Sequence, residues 1–156
     1  MRPIYVFLTY LLITATACNN EKKEKSMDKE PISATSNSSP SKELEGTWEA
    51  NYIMGAPKDF SEIYPHGAPK ITFNLEKSTT SGNTGCNNFS APLTINGNSI
   101  HFNEAMALTR KMCPDMTGET LFLDTLKKVS TFSISEQGQT LNLIIGDIGA
   151  MRFHKK

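Results

Sequence analysis

Apolar and polar side chains alternate with a period of two along most of residues 44–156. This period is typical of half-buried β-strands, because successive side chains of a strand point to opposite faces of the sheet. The pattern predicts about eight short strands. The predicted inward-facing positions are Trp48, Ala50, Tyr52, Met54, Ile71, Phe73, Leu75, Phe89, Ala91, Leu93, Ile95, Ile100, Phe102, Met106, Leu108, Met112, Phe132, Ile134, Leu141, Leu143, Ile145, Met151 and Phe153.

One segment, residues 117–129, departs from this period. Its apolar residues Phe122, Leu126 and Val129 have helical spacing. Asp115 or Thr117 could cap the helix, and an acidic residue at position 119 suits the positively polarised N-terminal end. The sequence therefore predicts one helix, inserted before the last three strands.

Short antiparallel strands joined by tight turns predict a mainly β protein, either a barrel or a sandwich. One apolar face per strand favours a closed barrel, with the helix over one end. We expect the interior to be filled, with Trp48 as a core plug rather than a ligand-stacking ring. Asn96-Gly97 predicts a type I′ hairpin turn. The long connection 54–69 is expected to cover a barrel end through a short helical turn, or else to face a partner. The five side chains expected to fill the barrel are Trp48, Phe73, Phe102, Phe132 and Leu143.

The N-terminus has the composition of a targeting segment. Arg2 precedes an apolar run of about 13 residues, which is shorter than the roughly 20 needed to span a bilayer. The run ends at Ala15-Thr16-Ala17-Cys18, which resembles the lipobox of bacterial lipoproteins, although Leu is usual where Ala15 stands. The resemblance implies a signal peptide at 1–17 and acylation of Cys18; the alternative is an ordinary secretory signal. Asn19 after the cysteine favours the outer membrane.

Residues 18–43 are predicted to be the lipidated cysteine and a disordered tether. The segment is rich in Asn, Glu, Lys, Ser and Pro and has few large apolar residues. Such a composition cannot bury enough apolar area to offset the entropy of ordering the chain. The folded domain is therefore predicted to occupy 44–156 and to stand off the membrane.

Charge and composition exclude several classes of function. The chain has 16 basic and 16 acidic residues, whereas a nucleic-acid-binding protein normally has a basic excess. Its three histidines are far apart, and the Gly-rich stretch 81–88 is not followed by the Gly-Lys-Ser/Thr of a P-loop. We expect no cofactor, no metal and no catalytic centre, and a monomeric protein.

Two cysteines, Cys86 and Cys113, remain in the predicted domain. Export places them in an oxidising compartment, where such cysteines tend to pair. A bridge would close a loop of about 27 residues and contribute about 3–4 kcal/mol in the chain-entropy model. The alternative is two buried free thiols.

The order of several short motifs resembles the META domain, the HslJ-like family of exported bacterial proteins. The resemblance covers nearly all of residues 44–156 and implies a small lipocalin-like β-barrel of about eight strands. It also implies stress-linked or envelope roles and no established reaction. After the Gly-Cys-Asn loop the chain has Ser90-Ala91-Pro92-Leu93, where the family often has a glycine and an aromatic residue. The motifs that carry the resemblance are Gly46-Thr47-Trp48, Pro69-Lys70-Ile71-Thr72-Phe73, Ser81-Gly82, Gly85-Cys86-Asn87-Asn88-Phe89, Thr109-Arg110-Lys111-Met112-Cys113, Glu119, Phe122 and Leu126.

Three polar residues of these motifs are candidate contacts. Asn87 and Asn88 are expected to bond the backbone or to adopt left-handed conformations, with partner contact as the alternative. Strict alternation would point Arg110 inward, where it could pair with Glu119 or anchor a ligand.

These observations favour a non-enzymatic lipoprotein of the bacterial envelope with a structural or interaction role in stress tolerance. Its expected partners are the membrane and an envelope protein. The alternatives are a barrel that binds a small molecule or peptide at its mouth, and a protease-inhibitor-like barrel whose residues 19–43 enter a protease cleft.

Overall fold

A computed structural model describes residues 40–102 and 105–156 of the chain. The predicted signal peptide, Cys18 and nearly all of the predicted tether lie outside the described residues, whereas the last four residues of that tether, Pro40–Glu43, are helical. The elements in chain order are α1 (Pro40–Glu43), β1 (Gly46–Ile53), α2 (Phe60–Ile63), β2 (Lys70–Asn74), β3 (Thr79–Asn83), β4 (Asn88–Asn96), β5 (Ser99–Phe102), β6 (Ala107–Leu108), α3 (Thr117–Leu126), β7 (Thr131–Ser135), β8 (Thr140–Ile145) and β9 (Ile148–Lys155).

Eight of the strands form a closed antiparallel barrel, which confirms the predicted fold class. The strand order is β3-β2-β1-β9-β8-β7-β5-β4, and pairing of β3 with β4 closes the ring. β6 lies outside the ring, and within the described residues it pairs with the first part of β4. The closure is weakest between β5 and β7, where Ser99 and Thr131 are the one registered pair. Backbone hydrogen bonds from Ile100 to Ser130 and from Phe132 to Asn98 reinforce that junction.

Aromatic and branched aliphatic side chains fill the barrel. Burying a large apolar side chain stabilises a fold by roughly 1.5–3 kcal/mol, so this core dominates the folding energy. The Trp48 indole is completely buried, and its Nε1–H donates a 2.8 Å hydrogen bond to the Leu44 carbonyl. All five predicted core side chains are buried: Trp48, Phe73, Phe102, Phe132 and Leu143.

A β-bulge in β1 breaks the predicted alternation. The register of β1 against β9 shifts between Ala50 and Tyr52, so Ile53 points inward and Tyr52 points outward. The expectation that Tyr52 faces the core is therefore wrong. On the outer surface, the Arg152 guanidinium lies 5.7 Å from the centre of the Tyr52 ring. An extra residue in one strand of a pair reverses the facing of the residues that follow it.

The predicted helix and hairpin are present with altered limits. α3 begins at Thr117 as predicted but ends at Leu126 rather than near 129, and its N-cap residue is Met116. The Asp115 carboxylate nevertheless accepts a 2.8 Å hydrogen bond from the Thr117 N–H. The hairpin between β4 and β5 has Gly97 and Asn98 as its central residues, since Asn96 pairs with Ser99. The type I′ assignment is wrong. Of the two central residues of this turn, Gly97 has a positive φ and Asn98 does not, whereas type I′ requires it at both.

The barrel has two ends that differ in their coverings. The α1 end carries α1 and the turns that follow β2 and β4, and Pro40 lies there. The α3 end carries α2, the connection 84–87, the segment 109–116, the start of α3 and the β8–β9 turn at Gly146 and Asp147. None of the helices in 40–102 and 105–156 has the length and apolar character needed to cross a bilayer.

Candidate functional site

A buried hydrogen-bond cluster at the α3 end joins the β3–β4 connection to the helix. Glu119 lies in the first turn of α3, and its side chain accepts from the Thr84 hydroxyl (2.6 Å), the Asn87 backbone N–H (3.1 Å) and the Asn87 Nδ2 (3.2 Å). Thr84, Asn87 and Glu119 are all at least 95% buried. Every contact donates to the carboxyl group, which suits an acceptor at the positively polarised helix N-terminus.

Asn87 also fixes the segment that leads to Cys113. Its Oδ1 accepts hydrogen bonds from the Lys111 N–H (2.7 Å) and the Thr109 hydroxyl (2.8 Å), while its Nδ2 donates to the Lys111 carbonyl (3.2 Å). The structure joins Cys86 and Cys113 in the predicted disulfide, with their Cα atoms 6.3 Å apart. Asn87 therefore binds backbone as predicted, while the left-handed alternative is wrong for both asparagines.

Tyr64 is the side chain that packs the α2 connection against this cluster. It is buried, and its hydroxyl donates a 2.8 Å hydrogen bond to the Gly118 carbonyl. The ring fits against two residues without a Cβ: a Cβ on Gly85 or on Gly118 would lie 2.6 Å from a Tyr64 ring carbon. Burial raises the pKa of the Tyr64 hydroxyl well above its usual value. The predicted covering role of connection 54–69 is thus confirmed.

The other two candidate residues, Asn88 and Arg110, lie on the surface. Asn88 is exposed and accepts a 3.0 Å hydrogen bond from the Asn83 side chain, while its backbone N–H donates to the Thr109 hydroxyl. Arg110 is exposed, so the expected inward orientation and the pair with Glu119 are wrong. The reason is that β6 ends at Leu108, so strand alternation does not extend to position 110. Met112, expected to continue the apolar alternation, is completely exposed.

Exposed apolar side chains concentrate at this same end. Met112, Met116 and Ile148 are exposed there, and Tyr52 is the fourth exposed large hydrophobic side chain in the described part of the chain. An open groove of about 680 Å³ runs along α3, and Met116 is the one of these exposed residues that lines it. Its lining is partly apolar, with Asp124 and Lys128 as its two charged members. The lining residues are Met54, Pro57, Met116, Thr117, Thr120, Leu121, Asp124, Thr125, Lys128 and Ile145.

A comparison with known protein families identifies the domain. The family model of the META domain matches residues 42–156. The chain belongs to the META domain family. No curated protein matches the chain.

Several solved structures are similar to this META domain at low sequence identity. An NMR structure of a protein from Burkholderia xenovorans is 16% identical, with a TM-score of 0.58 over 82% of this chain and 97% of that one. A second NMR structure is 21% identical, with a TM-score of 0.54 over 76% of this chain and 94% of that one. A crystal structure of a DUF4847 family protein from Bacteroides vulgatus is 14% identical, with a TM-score of 0.49 over 72% and 94% of the two chains. The two NMR structures show the fold alone.

A second cavity beside the disulfide has a volume of about 160 Å³, below the 300–1,000 Å³ that is usual for small-molecule sites. Within residues 40–102 and 105–156, no three His, Cys, Asp or Glu side chains are grouped so that they could hold a metal ion. The exposed Asp115 has a lowered pKa because Thr117 hydrogen-bonds its carboxylate.

The sequence analysis did not identify Thr84 as a member of the cluster. It also did not predict that Tyr64 packs against Gly85 and Gly118. Thr84 lies between a predicted strand and the Gly85-Cys86-Asn87 motif, and nothing in its own neighbourhood marks it as buried. The two glycines that contact the Tyr64 ring could have indicated a close approach of a bulky side chain, since glycine has no Cβ to prevent it. Gly118 is 54 positions from Tyr64 in the sequence, so a local pattern does not connect the two residues.

Proposed function

We propose that this META protein is a non-enzymatic, HslJ-like lipoprotein of the bacterial envelope that docks a protein partner through the α3 end of its barrel. The observation that carries the docking proposal is the position of its exposed apolar side chains. Met112, Met116 and Ile148 lie at the end opposite Pro40, the first described residue on the side of the predicted tether. A tethered head would thus present this surface away from its attachment.

The groove along α3 adds to this surface. Leu121 and Ile145 are partly buried side chains in its wall, and Met116 stands at its rim. Exposed apolar area rimmed by polar groups is the usual composition of a protein interaction site. A role in stress tolerance follows from the family resemblance alone.

Site-specific photocrosslinking in intact cells tests the docking proposal. A benzophenone amino acid replaces Met112 in one variant and Lys77, an exposed residue of the β2–β3 turn, in a control. We expect a discrete crosslinked protein from position 112 that Ile148→Glu in the same chain abolishes. Equal crosslinked products from both positions, or no product from position 112, would refute the proposal that the α3 end docks a partner.

Fractionation tests the lipid anchor independently. Cys18→Ser should move the protein from the membrane fraction to the soluble envelope fraction, because several acyl chains are needed for stable membrane attachment. Ser26→Ala, in the same predicted tether, should leave partitioning unchanged. Unchanged partitioning of Cys18→Ser would refute acylation while leaving the docking surface untouched.

The alternative of a ligand inside the barrel has little support from the geometry, because Trp48, Phe73 and Phe132 occupy the interior. A peptide or small molecule in the α3 groove is the second candidate, favoured by the groove volume of about 680 Å³. It predicts that Leu121→Arg prevents binding without changing the barrel. The protease-inhibitor hypothesis concerns residues 19–43, most of which lie outside the described residues, and stays a prediction.

A further inference from the structure

Met112 is the most exposed large hydrophobic side chain in the described part of the chain. Its side chain is 100% exposed, compared with 60% for Ile148, 44% for Tyr52 and 39% for Met116. Burying apolar area is favourable, so a thioether on a flexible loop would tend to fold back onto the protein surface. The exposure of Met112 therefore calls for a structural cause.

The cause is that the residues on both sides of Met112 are fixed. The backbone N–H and carbonyl of Lys111 are both bonded to the buried Asn87 side chain, at 2.7 and 3.2 Å. On the other side, Cys113 is joined to Cys86 by the disulfide. Asn87 is in turn held by Glu119. This framework holds position 112 outside the core and leaves the sulfur open to solvent.

An exposed thioether has a defined reaction with peroxides. The sulfur lone pair attacks one peroxide oxygen, the O–O bond breaks, the oxygen becomes bonded to sulfur and water leaves. Sulfur loses two electrons and the peroxide gains them, so methionine and hydrogen peroxide yield methionine sulfoxide and water. The reaction needs access to the sulfur and requires no neighbouring base.

We propose that Met112 is an oxidation site, which peroxide-class oxidants convert to the sulfoxide while the barrel stays folded. Methionine sulfoxide is polar, and at position 112 the added oxygen would lie in water. The same oxygen on Met151, which is 1% exposed, would lie in the barrel core. The product at Met112 is accessible to a methionine sulfoxide reductase, so the modification is reversible.

The remaining described methionines differ in access. Met54 and Met106 are partly buried and pack against the core. Met116 is the second most exposed, and its sulfur lies 4.0 Å from the Cys86 sulfur, so one side of it is covered. The order of oxidation expected from exposure is Met112 first, then Met116, with Met151 last.

Timed oxidation of the full chain with hydrogen peroxide tests the proposal, with peptide mapping to follow each methionine separately. We expect Met112 to react faster than Met116 and at least about tenfold faster than Met151. The thermal unfolding transition should be unchanged when Met112 is fully oxidised, and a methionine sulfoxide reductase should restore the thioether. A Met112 rate equal to that of Met151, or loss of the unfolding transition in step with Met112 oxidation, would overturn the proposal.

Two variants separate the site from general damage. Met112→Leu should remove the first oxygen addition in residues 40–156 and leave the unfolding transition in place. Met116→Leu, the matched control, should retain that first addition. Persistence of the same early addition in Met112→Leu at another described methionine would contradict the assignment. The result is independent of whether the α3 end docks a partner.

Discussion

At the scale of single residues, the donors and acceptors of the buried cluster determine which side chains positions 87 and 119 can accommodate. Asn87 uses Oδ1 to accept from Thr109 and Lys111, so its Nδ2 must face Glu119. The amide cannot be turned over without losing both acceptor contacts. Glu119 must then accept through both carboxyl oxygens, which a carboxylate does and a neutral amide does not.

Glu119→Gln should therefore destabilise the protein despite its nearly identical shape. The glutamine NH₂ would face either Asn87 Nδ2 or the donors from Thr84 and Asn87 N, which pairs donor with donor. We expect a loss of about 1–3 kcal/mol in the free energy of unfolding, measured by chemical denaturation. Glu62→Gln, on the exposed face of α2, is the control and should change stability by less than about 0.5 kcal/mol. An equal loss in both variants would contradict the donor–acceptor assignment.

At the scale of elements, α2 and α3 meet through one aromatic ring and two glycines. Tyr64 follows α2, and its ring lies where side chains at Gly85 and Gly118 would stand. Gly85 also has a φ of +96°, a conformation that L side chains rarely adopt. The contact explains why a glycine lies in the second position of α3, where most residues would give a better helix.

Gly118→Ala should destabilise the protein, although alanine is about 1 kcal/mol better than glycine in a helix interior. The added methyl group would lie 2.6 Å from Tyr64 Cε1 and 3.0 Å from Ile63 Cγ2. A well-packed interior accommodates an extra methyl group only by strained side chains or backbone shifts. In a Tyr64→Ala background the penalty of Gly118→Ala should shrink, and denaturation of the double-mutant cycle measures this coupling. Gly149→Ala, where nothing lies within 4 Å of the new carbon, is the control. Additive effects of the two substitutions would show that the ring contact is not the cause.

At the scale of the whole molecule, strand pairing holds the barrel together, and a covalent bridge with buried polar contacts holds the connections at its α3 end. β1 pairs with both β2 and β9, and Glu49 of β1 forms ion pairs with Lys70 and Lys156 at 3.2 and 2.9 Å. The α3 end consists largely of connections, which the Cys86–Cys113 disulfide joins. We therefore expect the disulfide to hold the connections of the α3 end together and thereby to stabilise the whole fold.

Reduction of the disulfide should lower the free energy of unfolding by about 3–4 kcal/mol, the value for closing a loop of this length. Denaturant titration with and without a reductant measures the difference, and the Cys86→Ser/Cys113→Ser double variant should match the reduced protein. The double variant should not respond to the reductant. A reduced protein as stable as the oxidised one would show that the Asn87 contacts alone hold segment 109–116.

The ion pairs of Glu49 should make stability depend on pH. Hydrogen bonding with Lys156 lowers the pKa of Glu49 below its usual value of 4.5, against the opposing effect of burial, with Lys70 assisting. A lowered folded-state pKa gives stability that is present above the unfolded pKa and lost as pH falls through the folded one. Glu49→Gln should thus reduce the acid sensitivity of unfolding below about pH 4.5 and leave its neutral-pH slope unchanged. The same acid sensitivity in wild type and variant would contradict this attribution.

The spacing of apolar residues by itself determined the strands, the helix before the last three strands and the five core side chains. A period of two in a strand, or a helical period in a helix, records locally which face is buried. Tertiary structure decided the rest. Tyr52 faces outward because a bulge arises from pairing with β9, and Arg110 faces solvent because β6 ends where its pairing with β4 ends. The partners of Glu119 lie about 30 residues away, at Thr84 and Asn87. Contacts over such separations depend on how the closed barrel brings its connections together, and no local pattern of residues records that.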